Sequence, residues 1–209
     1  MKFMILSGTP KKEGQCYDLV TTAIETVSEV GVEAEVVHLS DLKIDHCHMC
    51  GDGWGICFND HRCYIGDHDP EDAFNDIHKK TGEVDGFIYI TPVYMYEMSD
   101  VMKRFLDRLR RCEASKRWGT PGVSTMADKP SIIVASAGGV GGGTVATFVA
   151  MEEYINTMGG AGRPRNTKGI FENIGVTRWN IDYQQASLKA AIKALVANMR
   201  GEVTLPPPR

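Results

Sequence analysis

The chain has 209 residues, with 23 Lys and Arg against 27 Asp and Glu, for a formal charge of −4. That is long enough for one domain with a sizeable core. The mildly acidic balance leaves no basic footprint for nucleic acid, and no apolar run approaches membrane-spanning length.

The elements follow from periodicity. Lys2 to Ser7 reads as a first strand, beginning too early to leave room for a signal peptide. A turn, Ser7-Gly-Thr-Pro-Lys-Lys-Glu-Gly14, leads into a helix from Gln15 to Val30. Leu19, Val20, Ala23, Ile24 and Val27 face inward on it, and Gly31 is a C′ glycine. Val32 to Leu39 is strand two. Asp45 to His68 has no useful periodicity and holds four of the six cysteines and four of the six histidines. Pro70 to Thr81 is predicted as a helix with Pro70 near its first position.

Phe87 to Ile90, apolar and rich in β-branched and aromatic residues, reads as a strand buried on both faces, ended by Thr91-Pro92. Ser99 offers an N-cap. Val101, Met102, Phe105, Leu106 and Leu109 then recur at helical spacing, with Arg108, Arg110 and Arg111 suited to the C-terminal end. Lys116 to Ala127 is a loop and Ser131 to Ser136 strand four. Ala137 to Gly143 is a glycine-rich loop, and Thr144 to Met158 a helix ended by Gly159-Gly160. Gly169 to Ile174 is a weaker fifth strand, Ile181 to Arg200 the last helix, and 201–209 a loose tail. Alternating strands and helices call for one doubly wound α/β domain over 1–200. Five parallel strands suit the flavodoxin-like order 2-1-3-4-5, with a cysteine-rich excursion at 45–68 after strand two.

In such sheets ligands sit at the carboxyl ends of the strands. The loop after the third strand, Pro92-Val93-Tyr94-Met95-Tyr96, places apolar and aromatic residues there. It suits either a flat ligand or a covering subunit. In the first loop, backbone N–H groups at a helix start, the hydroxyls of Ser7 and Thr9 and the charge of Lys11 could hold a phosphate. On these residues alone an ordinary βα turn is the simpler account. Gly141-x-Gly143-x-x-Ala146 has the letters of a dinucleotide fingerprint but follows the fourth strand and lacks the acidic ribose partner. It reads better as a loop that lets backbone approach a flat ligand or a neighbouring subunit.

Cys47-x2-Cys50-x6-Cys57-x5-Cys63 would hold zinc or an iron–sulfur cluster, and His46, His48 or His61 could replace one ligand. Cys16 and Cys112 look unrelated to it. The lack of room for a signal peptide argues for the cytoplasm, where cysteines stay reduced and such a cluster more often means metal or redox chemistry than disulfides. No Ser/His/Asp or paired-carboxylate arrangement suggests hydrolysis.

Thr91-Pro-Val-Tyr94 followed by Met102-Lys-Arg-Phe-Leu-Asp-Arg108 resembles the flavin-contacting loop and following helix of the flavodoxin-like NAD(P)H-dependent FMN reductases. Their iron–sulfur flavoprotein branch is the nearest. The first loop is similar to that family's Ser-x-Ser/Thr-Pro-Arg…Gly-Asn-Thr pattern at Ser7, Thr9, Pro10, Lys11 and Gly14. It departs at Gln15-Cys16. The resemblance implies FMN held by Ser7, Thr9, Lys11, Gly14, Gln15, Cys16, Pro92, Val93, Tyr94, Met95, Ala137, Gly138 and Gly139.

It also implies a [4Fe–4S] cluster on Cys47, Cys50, Cys57 and Cys63, with structural zinc and then an unmetallated loop as the alternatives. Cys57 falls four residues beyond the usual third ligand position at Gly53. The implied activity is electron transfer from NAD(P)H or a ferredoxin-like donor to a small-molecule or protein acceptor. The implied assembly is a homodimer or homotetramer. The alternatives are a non-enzymatic electron carrier and a zinc-stabilised interaction protein.

Overall fold

The computed structural model describes residues 1–51, 57, 60–118, 124–126, 129–158 and 170–204, with backbone alone for 114–118 and 157–158. The elements are β1 Lys2–Ser7, α1 Gln15–Glu29, β2 Glu33–His38, α2 Tyr64–His68, α3 Phe74–Thr81 and β3 Gly86–Tyr94. They continue with β4 Glu97–Met98, α4 Asp100–Trp118, β5 Ser131–Ser136, α5 Thr144–Met158, β6 Ile170–Val176 and α6 Ile181–Met199. Several expectations lie outside the described residues: Gly53 of the cysteine loop, Ala127, Gly159-Gly160, Gly169 and the last five residues of the tail.

The sheet runs β2-β1-β3-β5-β6, all pairs parallel. This is the expected flavodoxin-like order. Strand pleating sorts the core into two halves, because successive side chains point to opposite faces. Met4, Leu6, Phe87, Tyr89 and Ile133 meet α3, α4 and α5 on one side. Phe3, Ile5, Ile88, Ile90 and Val134 meet α1 and α6 on the other. Each fully buried large side chain contributes about 1.5–3 kcal/mol, so the strands are held from both faces. Gly31, at φ 68, ends α1. Its N–H bonds Ser28 and that of Val32 bonds Val27, the paired bonds of a Schellman motif.

Three expectations are corrected. The helix predicted over Pro70 to Thr81 begins only at Phe74. The N–H of Ala73 goes to the Lys43 carbonyl, and the Asp72 carboxylate takes the N–H groups of Phe74 and Asp45, so this stretch is tied across to the segment after β2. Pro92 does not end β3, which continues to Tyr94. Phe87 N–H faces β5 and the Ile90 carbonyl faces β1. Pro92, two residues beyond Ile90, therefore points to the β1 side, where β1 has already finished at Ser7. Lastly, α4 runs to Trp118, so Arg108 lies mid-helix and does not complement a helix end.

Past Pro92 the chain makes a hairpin, with Val93 paired to Met98 and Tyr94 to Glu97. Its two turn residues, Met95 (φ 48) and Tyr96 (φ 71), are both left-handed, as a type I′ turn requires. Neither is Gly, Asn or Asp, so the turn carries strain of order ~1–3 kcal/mol per residue. No helix among the described residues is long and apolar enough to cross a membrane.

Candidate functional site

Three loops leave the carboxyl ends of β1, β3 and β5, whose ends are in register through Ser7, Ile90 and Val134. They lock together without side-chain bulk. Gly8 N–H bonds the Ile90 carbonyl at 2.8 Å. A Cβ on Gly8 would stand 2.5 Å from Ser99 Oγ, so only glycine fits. Ser99 N–H in turn donates to Thr91 Oγ1 at 3.0 Å, fixing the start of α4 against the end of β3.

Ser7 is fully buried, and its hydroxyl has no hydrogen-bond partner among the described residues. A partnerless buried hydroxyl costs stability unless something else reaches it. Thr9 is buried beside it; its Oγ1 accepts from Lys11 N–H at 3.3 Å and its carbonyl from Ser40 Oγ at 2.8 Å. Gly14, at φ 83, swings the chain into α1, and no side chain caps the helix. Its first-turn N–H groups and the positive end of its dipole therefore lie at the loop. Gln15 Nε2 donates to Ser136 Oγ at 3.0 Å, bridging the first loop to the end of β5.

Cys16 is different from the residues around it. Its side chain packs into the core between α1 and the sheet, and burial pushes its thiol up to about 12, against a smaller opposite pull from Thr9. It is a neutral core residue, which explains how a cysteine stands where the resembled pattern has threonine.

In the β3 loop Pro92 is buried and Val93 half-buried, whereas Tyr94 and Tyr96 are largely exposed and Met95 is 90% exposed. Burial first, and then Cys16 and Asp100, raise the Tyr94 hydroxyl above its ordinary value. In the third loop Ala137 is buried and bonded to the Val176 carbonyl. A Cβ on Gly138 or Gly139 would meet nothing within 4 Å, so both face open space. Gly143 has another purpose: at φ 90, its absent Cβ would sit 2.5 Å from Tyr96 Cα. The glycine run therefore serves packing of the hairpin within the chain as well as openness.

The cysteine excursion forms a second site. Cys47, Cys50, Cys57 and Cys63 line one cavity, and none of the six cysteines is in a disulfide. Cys112, expected to be unrelated, lines the same cavity from α4, as does Arg108. Burial raises the Cys57 thiol, and the nearby Cys63 and Cys47 add to that rise. Among the described residues no three of these sulfurs lie within 4.8 Å of one another.

Cys63 is the fixed member. Asn75 accepts from its N–H and donates to its carbonyl, both at 2.9 Å, and Arg108 Nε donates to its Sγ at 3.2 Å. Of the three histidines considered as substitutes, His48 lines the cavity and His46 is exposed; both bond Asp45. His61 stands in a left-handed conformation at φ 57. Arg108 was the residue missed by sequence reading. Val101, Phe105, Arg108 and Cys112 recur at helical spacing, which puts an arginine and a cysteine on the buried stripe.

The family model of the NADPH-dependent FMN reductases matches residues 1–166, a span that includes all three strand-end loops and the cysteine excursion. The chain belongs to this family. Among FMN reductase relatives, an iron–sulfur flavoprotein of Methanocaldococcus jannaschii is 34% identical over 110 residues, 53% of this chain and 52% of that one. The match thus spans about half of that relative's length. A second M. jannaschii iron–sulfur flavoprotein is 26% identical over 188 residues, covering 87% of this chain and 83% of its own. An FMN-dependent NADH-azoreductase from Bacillus anthracis, solved with FMN, superposes with a TM-score of 0.68 over 93% of this chain and 99% of its own, at 11% identity. That likeness is one of fold.

Proposed function

We propose that the protein is an FMN-dependent oxidoreductase that takes electrons from NAD(P)H, or from a reduced carrier such as a ferredoxin, and passes them to a small-molecule or protein acceptor. The observation that carries the reading is the Ser7 hydroxyl, fully buried and without a partner among the described residues, in the loop that leads to an uncapped helix. A phosphate is the group that such a cradle satisfies. Ser7, Thr9, Lys11, Gly14 and the α1 amides would hold it. Gln15 would orient the first loop against Ser136. Pro92, Val93, Tyr94, Met95, Ala137, Gly138 and Gly139 would bound the isoalloxazine ring. Bound FMN supplies the redox chemistry, and the chain positions the ring and excludes water.

Cys47, Cys50, Cys57 and Cys63 would hold a [4Fe–4S] cluster. What favours the cluster over a single zinc is the likeness to relatives named iron–sulfur flavoproteins. The cluster would add one-electron transfer. From its first residue, Asp100, just after the hairpin, to Arg108 beside the cysteines, α4 rises only about 12 Å, so the two centres share one helix. The reduced thiols suit the cytoplasm. The exposed Tyr94, Met95 and Tyr96 suit a homodimer or homotetramer covering the flavin loops.

An anaerobic absorbance spectrum with iron and zinc analysis, followed by cofactor release and chromatography, tests both parts. FMN with iron is expected. FAD alone, or no flavin uptake, overturns the flavin reading, and stoichiometric zinc without iron overturns the cluster. Steady-state NADH and NADPH oxidation with an added quinone separates an enzyme from an electron carrier, and light scattering tests the oligomer.

A further inference from the structure

Arg108 and Asp72 form a buried pair, with both side chains fully shielded from solvent. Nη1 donates to Asp72 Oδ2 at 2.6 Å and Nη2 to Asp72 Oδ1 at 2.8 Å, a bidentate fork. The Phe74 ring lies 4.3 Å from the guanidinium and covers it. Two of the three N–H donors left over point to the cysteine loop. Nη1 also reaches the Asp45 carbonyl at 3.2 Å, just before Cys47, and Nε reaches Cys63 Sγ. One rigid group therefore grips both ends of the excursion. A buried ion pair adds little stability over well-packed apolar side chains, so its direction is the informative feature.

We propose that Arg108, clamped by Asp72, is the positioning residue of the cysteine centre: it fixes Cys63 as the standing ligand on which Cys47, Cys50 and Cys57 close, and its N–H···S bond carries part of that sulfur's negative charge. The inference rests on the reading that these cysteines bind metal. Two consequences follow. With one ligand and both loop ends already placed, less ordering remains when metal enters. A hydrogen bond to a ligating sulfur also favours the reduced, more negative state of an iron centre and raises its potential. Lysine is a poor substitute, since its compact ammonium lacks the planar fork that holds Asp72 by two bonds while a third donor reaches Cys63.

The test uses the full chain, reduced and freed of metal anaerobically, and titrated with cobalt(II). Wild type should show the thiolate-to-cobalt charge-transfer band. Arg108→Lys should bind cobalt roughly 10–100-fold more weakly, the usual cost of losing a ligand's outer partner, and its band should lose one thiolate's share. FMN affinity and far-UV circular dichroism should be unchanged, because the flavin loops lie at the start of α4, about 12 Å along the helix from Arg108. Wild-type cobalt affinity and band in Arg108→Lys overturn the proposal, as does a wild-type chain with no thiolate band.

Asp72→Asn is the second variant, and carries the test if Arg108→Lys does not fold. It keeps an acceptor for Phe74 N–H but loosens the clamp, and should show a smaller loss in the same direction; no loss removes the clamp. A wild type that binds cobalt through thiolates but takes up no iron and sulfide defeats the cluster reading and leaves Arg108 in its role. Where iron is taken up, the Arg108→Lys midpoint potential should be more negative, and an unchanged potential removes the tuning role.

Discussion

The two candidate centres lie at either end of the same stretch of α4 and are built on opposite plans. The flavin loops hang from strand ends in register, and backbone and glycine contacts fix them: Gly8 under Ser99, Gly143 under Tyr96, Gln15 across to Ser136. Among its described residues the cysteine loop forms no strand. It is gripped at its ends by Arg108 and Asn75, and between them Met49, Gly51 and His61 take left-handed conformations. A site made of sheet backbone is formed before its ligand arrives and loses little freedom on binding. A site made of side chains on a loop depends on its ligand and its end-clamps for order. Damage to the first should appear as lost affinity with the fold intact. Damage to the second should appear as lost stability or lost metal.

The largest effect expected is at the clamp. Arg108→Met leaves the Asp72 carboxylate buried without its partner, and removing one member of a buried pair costs about 3–5 kcal/mol. Urea denaturation of the metal-free chain measures it. A loss under about 1 kcal/mol would mean that the loop ends are held by something else and that the contrast between the centres is false.

Ser7→Ala tests the opposite plan. FMN binding should weaken by roughly 1.5–3 kcal/mol, the worth of a hydrogen bond to a charged group. Stability without flavin should stay the same or rise slightly, because a partnerless buried hydroxyl is removed. A variant that loses stability and keeps its affinity would reverse the assignment.

Tyr94→Ala should be milder: about 1 kcal/mol of flavin affinity beyond the lost contact area, read by flavin fluorescence titration, with no change in melting. Unchanged affinity would move the ring site away from the hairpin.

The smallest effect is at Cys16, and it is absent at neutral pH. Burial raises this thiol from an ordinary 9.0 to about 12. The unfolded chain therefore gives up the proton first as pH rises. The contribution of the protonated thiol is intact below about pH 9 and is lost as pH climbs towards 12. Cys16→Ala should flatten the alkaline fall in stability across that window. An identical fall in both proteins would mean that the thiol is not shielded in the folded state.

What the sequence determined by itself is local and periodic. The apolar run Phe87 to Ile90 could only be a strand shielded on both faces. The alternation of strands and helices called for the parallel sheet, and Gly31 marked the end of α1, because these signals repeat within one or two turns of chain. The spacing of Cys47, Cys50, Cys57 and Cys63 likewise announced a shared site, since short intervals keep ligands within reach whatever the loop does. Only tertiary structure decided the rest. Pro92 could continue a strand because its neighbour β1 stops short. Phe74 opened a helix late because Asp72 was engaged by Arg108, 36 positions away. Gly143 was needed to pass under a hairpin turn that lacks the usual glycine or asparagine. Arg108 and Cys112 joined the cysteine site because α4 turns that stripe of its surface inward. Each of these is a contact between residues distant in the chain, and periodicity, which compares near neighbours, carries no record of which distant partner a side chain will meet.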